Sequence, residues 1–89
     1  MEKSLVAYPA IIQKNAGQVK ISFPDLPAAD VVDVDEKRAF LRAKIGLAIV
    51  IIDLESHYET VPKPSTVAQV AAKSTGDHVE LIETDLSQY

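Results

Sequence analysis

The chain has 89 residues, and its 9 basic and 13 acidic side chains give a formal net charge of -4. A chain of this length has room for one small core and little room for a deep active-site cleft, so we expect a single domain over residues 1–89. The negative charge repels phosphate backbones and disfavours direct DNA binding. The absence of cysteine excludes disulfides, thiolate metal sites and a cysteine nucleophile, and it favours a reducing cytoplasm.

The hydrophobic pattern predicts neither membrane insertion nor export. The longest apolar run, residues 45–52, is far shorter than the ~20 residues that a membrane-spanning helix needs. Near the N-terminus the apolar residues are interrupted by Pro9 and by the polar Gln13, so they do not form the core of a signal peptide. We therefore expect a cytoplasmic protein without a membrane partner.

The first two predicted elements form a β-hairpin. Residues 5–12 are apolar and partly β-branched, and residues 18–23 alternate apolar and polar side chains with the period of a half-buried strand. Asn15 and Gly17 lie between them and are suited to the positive φ angles of a tight turn. Pro9 lacks a backbone donor, which indicates an edge position or an irregularity in the first strand.

A rigid turn at residues 24–27 follows, because Pro24 and Pro27 each fix φ and neither can continue a ladder of hydrogen bonds. We call this segment the 24–27 turn. After it, residues 30–34 contain three valines among aspartates and predict a short third strand.

One long helix is predicted from Asp35, which is suited to cap it, to about Tyr58. Two apolar stripes run along this helix. The first predicts packing on the sheet and consists of Ala39, Ala43, Leu47, Val50 and Leu54. The second consists of Ile45, Ile49 and Ile52. Burial of the second stripe requires either an oligomer interface or a C-terminal loop folded over it within one chain, and the sequence leaves both open.

The C-terminal part predicts a short helix and a last strand. After a loop with two prolines, Ser65 or Thr66 is suited to cap a helix that runs to about Lys73. Residues 78–85 alternate as a strand does, and their apolar face carries Val79 and Leu81. The order β-β-β-α-(α)-β defines an α+β fold, an antiparallel sheet of three to four strands with one long packed helix.

Acidic residues and histidines bind metal ions in many proteins, but here their positions are explained by structural roles. An acidic cluster surrounds the turn and the helix start and consists of Asp25, Asp30, Asp33, Asp35 and Glu36. Carboxylate oxygens of this kind are suited to bind Mg²⁺ or Ca²⁺. The spacing of the cluster matches no metal-binding loop, however, and aspartates at such places serve turns and helix caps. The two histidines, His57 and His78, lack the spacing of metal ligands. We expect no metal ion and no cofactor.

Catalytic sequence motifs are also missing. The three glycines fit no phosphate-binding loop, and no serine stands in the G-x-S-x-G context of hydrolases. We therefore expect a protein that is not an enzyme and that acts by binding another macromolecule.

Three motifs occur in order along the chain: Y-P-A-I-I at residues 8–12, I-S-F-P-D-L-P at residues 21–27 and V-P-K-P-S at residues 61–65. Together with the capped helix between the second and third motifs, they resemble the HicB antitoxin family over about residues 6–66. The sequence departs from the family pattern at Ala28 and Ala29, where a glycine and often a cysteine follow the turn. It departs again at Val19, which replaces a frequent aromatic residue.

The resemblance implies a partial ribonuclease-H-like fold without ribonuclease activity, and a role in neutralising a HicA-like toxin that cleaves messenger RNA. Residues 5–12 contain no acidic side chain, so the carboxylate that an active ribonuclease-H-like site would place on its first strand is missing. The family's separate C-terminal DNA-binding domain has no counterpart before Tyr89, so operator binding is not expected.

The predicted partner-binding residues come from the sheet, the turn and the helix start: Tyr8, Phe23, Pro24, Asp25, Leu26, Pro27, Asp30, Asp33 and Glu36. Their acidic charge complements a basic RNA-binding partner. The predicted interface of a homo-oligomer, a dimer or larger, is Ile45, Ile49 and Ile52. Two alternatives remain open. One is an orphan HicB-like homo-oligomer with a regulatory or structural role and no toxin, and the other is a hydrolytic ribonuclease-like fragment with a bound metal.

Overall fold

The computed structural model describes residues 5–73 and 78–89. Its centre is an antiparallel four-stranded sheet in the order β3-β2-β1-β4. The strands are β1 (Leu5–Asn15), β2 (Gln18–Ser22), β3 (Val31–Asp33) and β4 (His78–Asp85), and the helices are α1 (Glu36–Ser56) and α2 (Val67–Lys73). Single turns of 3-10 helix span Pro27–Ala29 and Leu86–Gln88. The predicted α+β class is confirmed. Within the described ranges, no helix is long and apolar enough to cross a membrane.

The hairpin between β1 and β2 is longer and tighter than predicted. Asn15 pairs with Gln18, so only Ala16 and Gly17 form the turn. Their φ angles are 52° and 77°, and a two-residue turn that matches the strand twist requires two positive φ angles. The prediction that Asn15 takes a positive φ is wrong, because this residue still belongs to the β1 ladder and Ala16 takes that conformation instead.

Pro9 lies in β1, which has a neighbour on each side in the sheet. Pairing with β2 begins only at Ile11, so at Pro9 the strand pairs with β4 alone, opposite Leu81. The missing N–H therefore leaves no gap in a second ladder. The predicted edge position is confirmed locally, although β1 as a whole is a central strand.

The face of β4 that enters the core is the opposite of the predicted one. Tyr8 pairs with Ile82, and the two residues are 3% and 4% exposed. Leu81, by contrast, is 55% exposed. Paired residues lie on the same face of a sheet, so the core side of β1 selects Ile82 and the buried Thr84. The prediction is wrong because it used alternation within β4 alone.

α1 covers the core side of the sheet. Asp35 caps it and accepts hydrogen bonds from the backbone N of Lys37 at 3.0 Å and of Arg38 at 3.4 Å. The core beneath the helix includes Ile21 and Phe23, which are both fully buried. The predicted first stripe of α1 is confirmed, since it supplies the buried or half-buried Ala39, Ala43, Leu47, Val50 and Leu54.

α2 packs on the outer face, which we define as the side of the sheet opposite α1. Thr66 and Gln69 cap this helix reciprocally: Thr66 Oγ1 accepts from Gln69 N at 3.1 Å, and Thr66 N donates to Gln69 Oε1 at 2.8 Å. The buried Val70 lies beside Ile11. The Ile11 side chain points to the outer face, because its neighbours along β1 are buried in the core.

Candidate partner-binding surface

The 24–27 turn is closed by hydrogen bonds at both of its ends. Leu26 N donates to the Phe23 carbonyl at 3.1 Å, and Phe23 N donates to Asp30 Oδ1 at 2.8 Å. Phe23 and Leu26 are 1% and 4% exposed, and they anchor the turn in the core. Pro24 and Pro27 are exposed. The turn thus presents its prolines to solvent on a fixed backbone.

Asp25 joins the turn to the proline-containing loop at residues 61–65, which we call the 61–65 loop. Its carboxylate accepts hydrogen bonds from the N and the Oγ of Ser65, each at 2.8 Å. Tyr8 holds the same loop, because its hydroxyl donates to the carbonyl of Pro62. Burial raises the pKa of Tyr8, and the charges of Asp25 and Glu55 raise it further. The hydroxyl therefore stays protonated and able to donate.

A shallow groove of about 240 Å³ lies where the turn, the 61–65 loop and α2 meet. Ile11 and Val70 are its more buried members, and Pro24 and Lys73 are exposed at its margin. Two predicted partner-binding residues, Pro24 and Asp25, therefore share a concave surface with β1 and α2. The sequence gives no local signal for this groove, because its parts are brought together only by the fold.

Asp33 is a structural residue at the junction of β3 and α1. Its side chain is 4% exposed. It accepts from Arg38 Nε and Nη2, each at 2.9 Å, and from Arg42 Nη1 at 3.0 Å. The Arg38 guanidinium, the backbone N–H of Asp35 and the Arg42 guanidinium hold the pKa of Asp33 well below its usual range. A partner at this position would meet the two arginines rather than the carboxylate.

The other acidic residues near the turn also serve local structure. Asp30 closes the turn, Asp35 caps α1, and Glu36 pairs with Lys14 at the end of the hairpin. Of the two interpretations of this cluster, the geometry matches turns and caps. In the parts of the chain that the structure describes, no group of three or more histidine, aspartate or glutamate side chains is placed to hold a metal ion.

The outer face of the sheet keeps apolar side chains exposed beyond the area that α2 covers. Leu81 is 55% exposed, Val32 49% and Leu5 45%. Glu83 lies two residues after Leu81 on the same side of β4 and is also exposed. Sequence reasoning missed Leu81 as a surface residue, and the pairing of β4 with β1 is the information that it lacked.

The second stripe of α1 faces away from the sheet. Ile49 is 54% exposed, and Leu41, two turns earlier on the same side of the helix, is 57% exposed. Ile45 and Ile52 are half-buried. No segment among the described residues closes over Ile49, so the single chain leaves this stripe partly open to solvent.

A four-stranded antiparallel sheet between one long and one short helix places the chain in a defined class of small α+β domains. No protein-family model matches the chain, and neither does any curated protein. Among solved structures, the N-terminal domain of the antitoxin HicB from Burkholderia pseudomallei matches with a TM-score of 0.76 at 21% identity. The match covers 86% of this chain and 95% of that one.

Two structures of complexes also match. A chain of the toxin–antitoxin complex from Streptococcus pneumoniae has a TM-score of 0.78 at 20% identity, over 96% of this chain and 72% of that one. A chain of the HicA3 and HicB3 toxin–antitoxin complex has a TM-score of 0.69 at 20% identity, over 90% of this chain and 99% of that one. The protein therefore has the fold of HicB antitoxin domains, and the resemblance drawn from the three sequence motifs is confirmed at the level of the fold.

Proposed function

We propose that this protein is a cytoplasmic, non-enzymatic antitoxin that binds and neutralises a HicA-type toxin, an enzyme that cleaves messenger RNA. One observation carries the proposal: the chain matches chains of two toxin–antitoxin complexes over 96% and 90% of its own length. The likeness extends over the backbone of nearly the whole chain and is not confined to one element. The net charge of -4 supports it, because acidic charge complements a partner whose task is to bind RNA.

The proposed docking surface is the outer face together with the 24–27 turn. Pro24, Pro27 and Leu81 are its exposed apolar members, and Glu83 supplies negative charge on the same side of β4 as Leu81. Exposed apolar side chains surrounded by charge are typical of protein interfaces.

Four of the other predicted contact residues contribute to this surface indirectly. Tyr8, Phe23, Leu26 and Asp33 are buried. In this proposal they hold the turn and the start of α1 in shape, and the exposed side chains make the contacts.

A pair of matched variants tests the docking surface. The chain is co-expressed with any small basic protein that a gene adjacent to its own encodes, and rescue of growth and co-purification are measured. We expect Leu81→Arg to remove both, because it places a positive charge at the centre of the surface that meets a basic partner. Val34→Arg makes the same change at a residue that is 68% exposed in the connection between β3 and α1, and we expect it to preserve both.

The outcomes separate the proposed surface from the proposed function. If both variants still rescue growth, the antitoxin function stands, but the docking surface must lie elsewhere on the chain. A basic neighbour that is neither bound nor neutralised by the wild-type chain would remove the antitoxin function itself. The orphan homo-oligomer would then be the better proposal, and the partly open stripe on α1 is the observation that favours it.

A further inference from the structure

The outward side of α1 is an apolar stripe that the single chain leaves partly open. Leu41, Ile45, Ile49 and Ile52 follow one another at intervals of three or four residues, so they line one side of the helix. Leu41 and Ile49 are more than half exposed. We call this the α1 stripe. An apolar row of this kind on a helix surface is suited to pack against another helix.

Charged side chains flank the α1 stripe on both sides, and their sign changes along the helix. Arg42 and Asp53 are 11 residues apart, which is three helical turns or about 16 Å, so both lie on one flank. Lys44 and Glu55 have the same spacing and lie on the other flank. Each flank therefore carries a positive charge in the N-terminal half of α1 and a negative charge in the C-terminal half.

We propose that the α1 stripe is a homodimer interface in which a second copy of the chain packs its α1 antiparallel to the first. A two-fold axis that relates antiparallel helices brings each flank against the same flank of the second copy, with the direction reversed. Arg42 then lies opposite Asp53 of the second copy, and Lys44 lies opposite Glu55. The axis that each pairing requires falls near the middle of the stripe, and the two positions differ by less than one helical turn.

The flanking charges favour the antiparallel orientation, and they favour a second copy of the chain over a basic partner protein. A parallel pair would place positive halves together and negative halves together. A basic partner would meet Lys37, Arg38, Arg42 and Lys44, which are all exposed on the N-terminal half of α1.

The flanking charges are available for this contact. Neither Lys44 nor Glu55 takes part in an ion pair among the residues that the structure describes. Asp53 is 65% exposed, and among the described residues its carboxylate pairs with His57 alone, at 3.4 Å. Arg42 holds Asp33 through Nη1, and its side chain is still 54% exposed.

A charge-exchange experiment tests the pairing of Lys44 with Glu55. Sedimentation equilibrium of the full chain gives the dimer dissociation constant of each variant, and circular dichroism reports its folding. We expect Lys44→Glu or Glu55→Lys alone to weaken dimerisation roughly ten-fold, because each places two like-charged pairs across the interface. The double variant restores the wild-type constant. An equimolar mixture of the two single variants forms a heterodimer, because its two pairs have opposite charges again.

Control variants separate this effect from net charge and from loss of folding. Lys63→Glu makes the same charge change on the exposed 61–65 loop, and we expect wild-type dimerisation. Ile49→Asp should give a folded monomer, because Ile49 is 54% exposed in the single chain. Val34→Asp is its match at another exposed apolar residue, and it should leave the dimer intact.

Three results would overturn the proposal. The first is a wild-type chain that sediments as a monomer up to roughly millimolar concentration, where even weak interfaces associate. The second is a folded double variant that associates no better than the single variants. The third is a folded Ile49→Asp variant that still dimerises but no longer binds a partner protein, which would assign the stripe to that partner.

Discussion

The carboxylate of Asp25 accepts two hydrogen bonds from Ser65, one from its backbone N and one from its Oγ, each at 2.8 Å. The two residues are 40 positions apart in the chain, and they join the 24–27 turn to the loop that leads into α2. Because the turn is part of the proposed docking surface, this contact links the stability of the chain to the shape of that surface.

Ser65→Ala should lower the free energy of unfolding by about 1 kcal/mol, because it removes one of these two hydrogen bonds and keeps the other. Urea denaturation measures the change. Ser56→Ala is the matched control, since the Ser56 hydroxyl donates to the nearby Asp53 carbonyl on the exposed helix surface, and we expect no loss there. Equal effects of the two substitutions would show that the contact with Asp25 adds nothing to stability.

Gly46→Ala should raise the free energy of unfolding by about 1 kcal/mol, because alanine is the better helix former. A methyl group at this position would meet the Ala29 carbonyl oxygen at 3.8 Å, an ordinary contact. Gly17→Ala is the opposite case, since Gly17 has a φ of +77° that alanine adopts only with strain. Thermal unfolding of both variants should give shifts of opposite sign, and destabilisation by Gly46→Ala would mean that α1 packs more tightly there than the structure shows.

Tyr58→Gly should stabilise the chain by roughly 1 kcal/mol, because a side chain is costly in the left-handed conformation that ends a helix. Tyr58 has a φ of 57° and is 98% exposed. It occupies the position where glycine is common, since Glu59 N donates to the Leu54 carbonyl at 2.9 Å and Tyr58 N to the Glu55 carbonyl at 3.1 Å.

Thr60→Gly controls for the added flexibility, because Thr60 has no positive φ, and it should be neutral or destabilising. Chemical denaturation compares the two variants. A loss of stability in Tyr58→Gly would indicate that the exposed ring makes a contact in solution.

Asp33→Asn should lower the melting temperature at pH 7, with a difference from wild type that narrows below about pH 4. The folded chain depresses the pKa of Asp33, chiefly through Arg38. Its ionised form therefore stabilises the fold above the unfolded-state pKa of about 3.9, and this stabilisation is lost as the pH falls toward the folded-state pKa.

Thermal unfolding of both proteins between pH 7 and pH 2 measures the effect. Asp53→Asn, at a 65% exposed carboxylate on the same helix, should show little change at either end of this range. A constant difference between Asp33→Asn and wild type across the range would contradict an ionised Asp33 in the core.

The residues near one another in sequence made most elements of this fold predictable. Asp35 caps α1 as expected, because the cap and the N–H groups that it accepts from lie within three residues. The first stripe of α1, which packs on the sheet, could also be predicted, because helical periodicity alone decides which residues share a side of a helix. The motifs at residues 8–12, 21–27 and 61–65, together with the capped helix, indicated the fold that the solved structures share.

Other features depended on contacts between distant segments. The alternation of side chains along β4 does not show which of its two faces enters the core. Its register against β1, with Tyr8 opposite Ile82, decides this and leaves Leu81 exposed. Asp33 looks like a surface charge in the sequence, and it is buried because Arg38 and Arg42 of α1 reach it across the end of β3. The elements and the apolar sides of the helices follow from local spacing, so the sequence pattern is sufficient to predict them. Which acidic and apolar side chains remain at the surface could not be predicted in this way, because exposure depends on what the rest of the chain places on top of them.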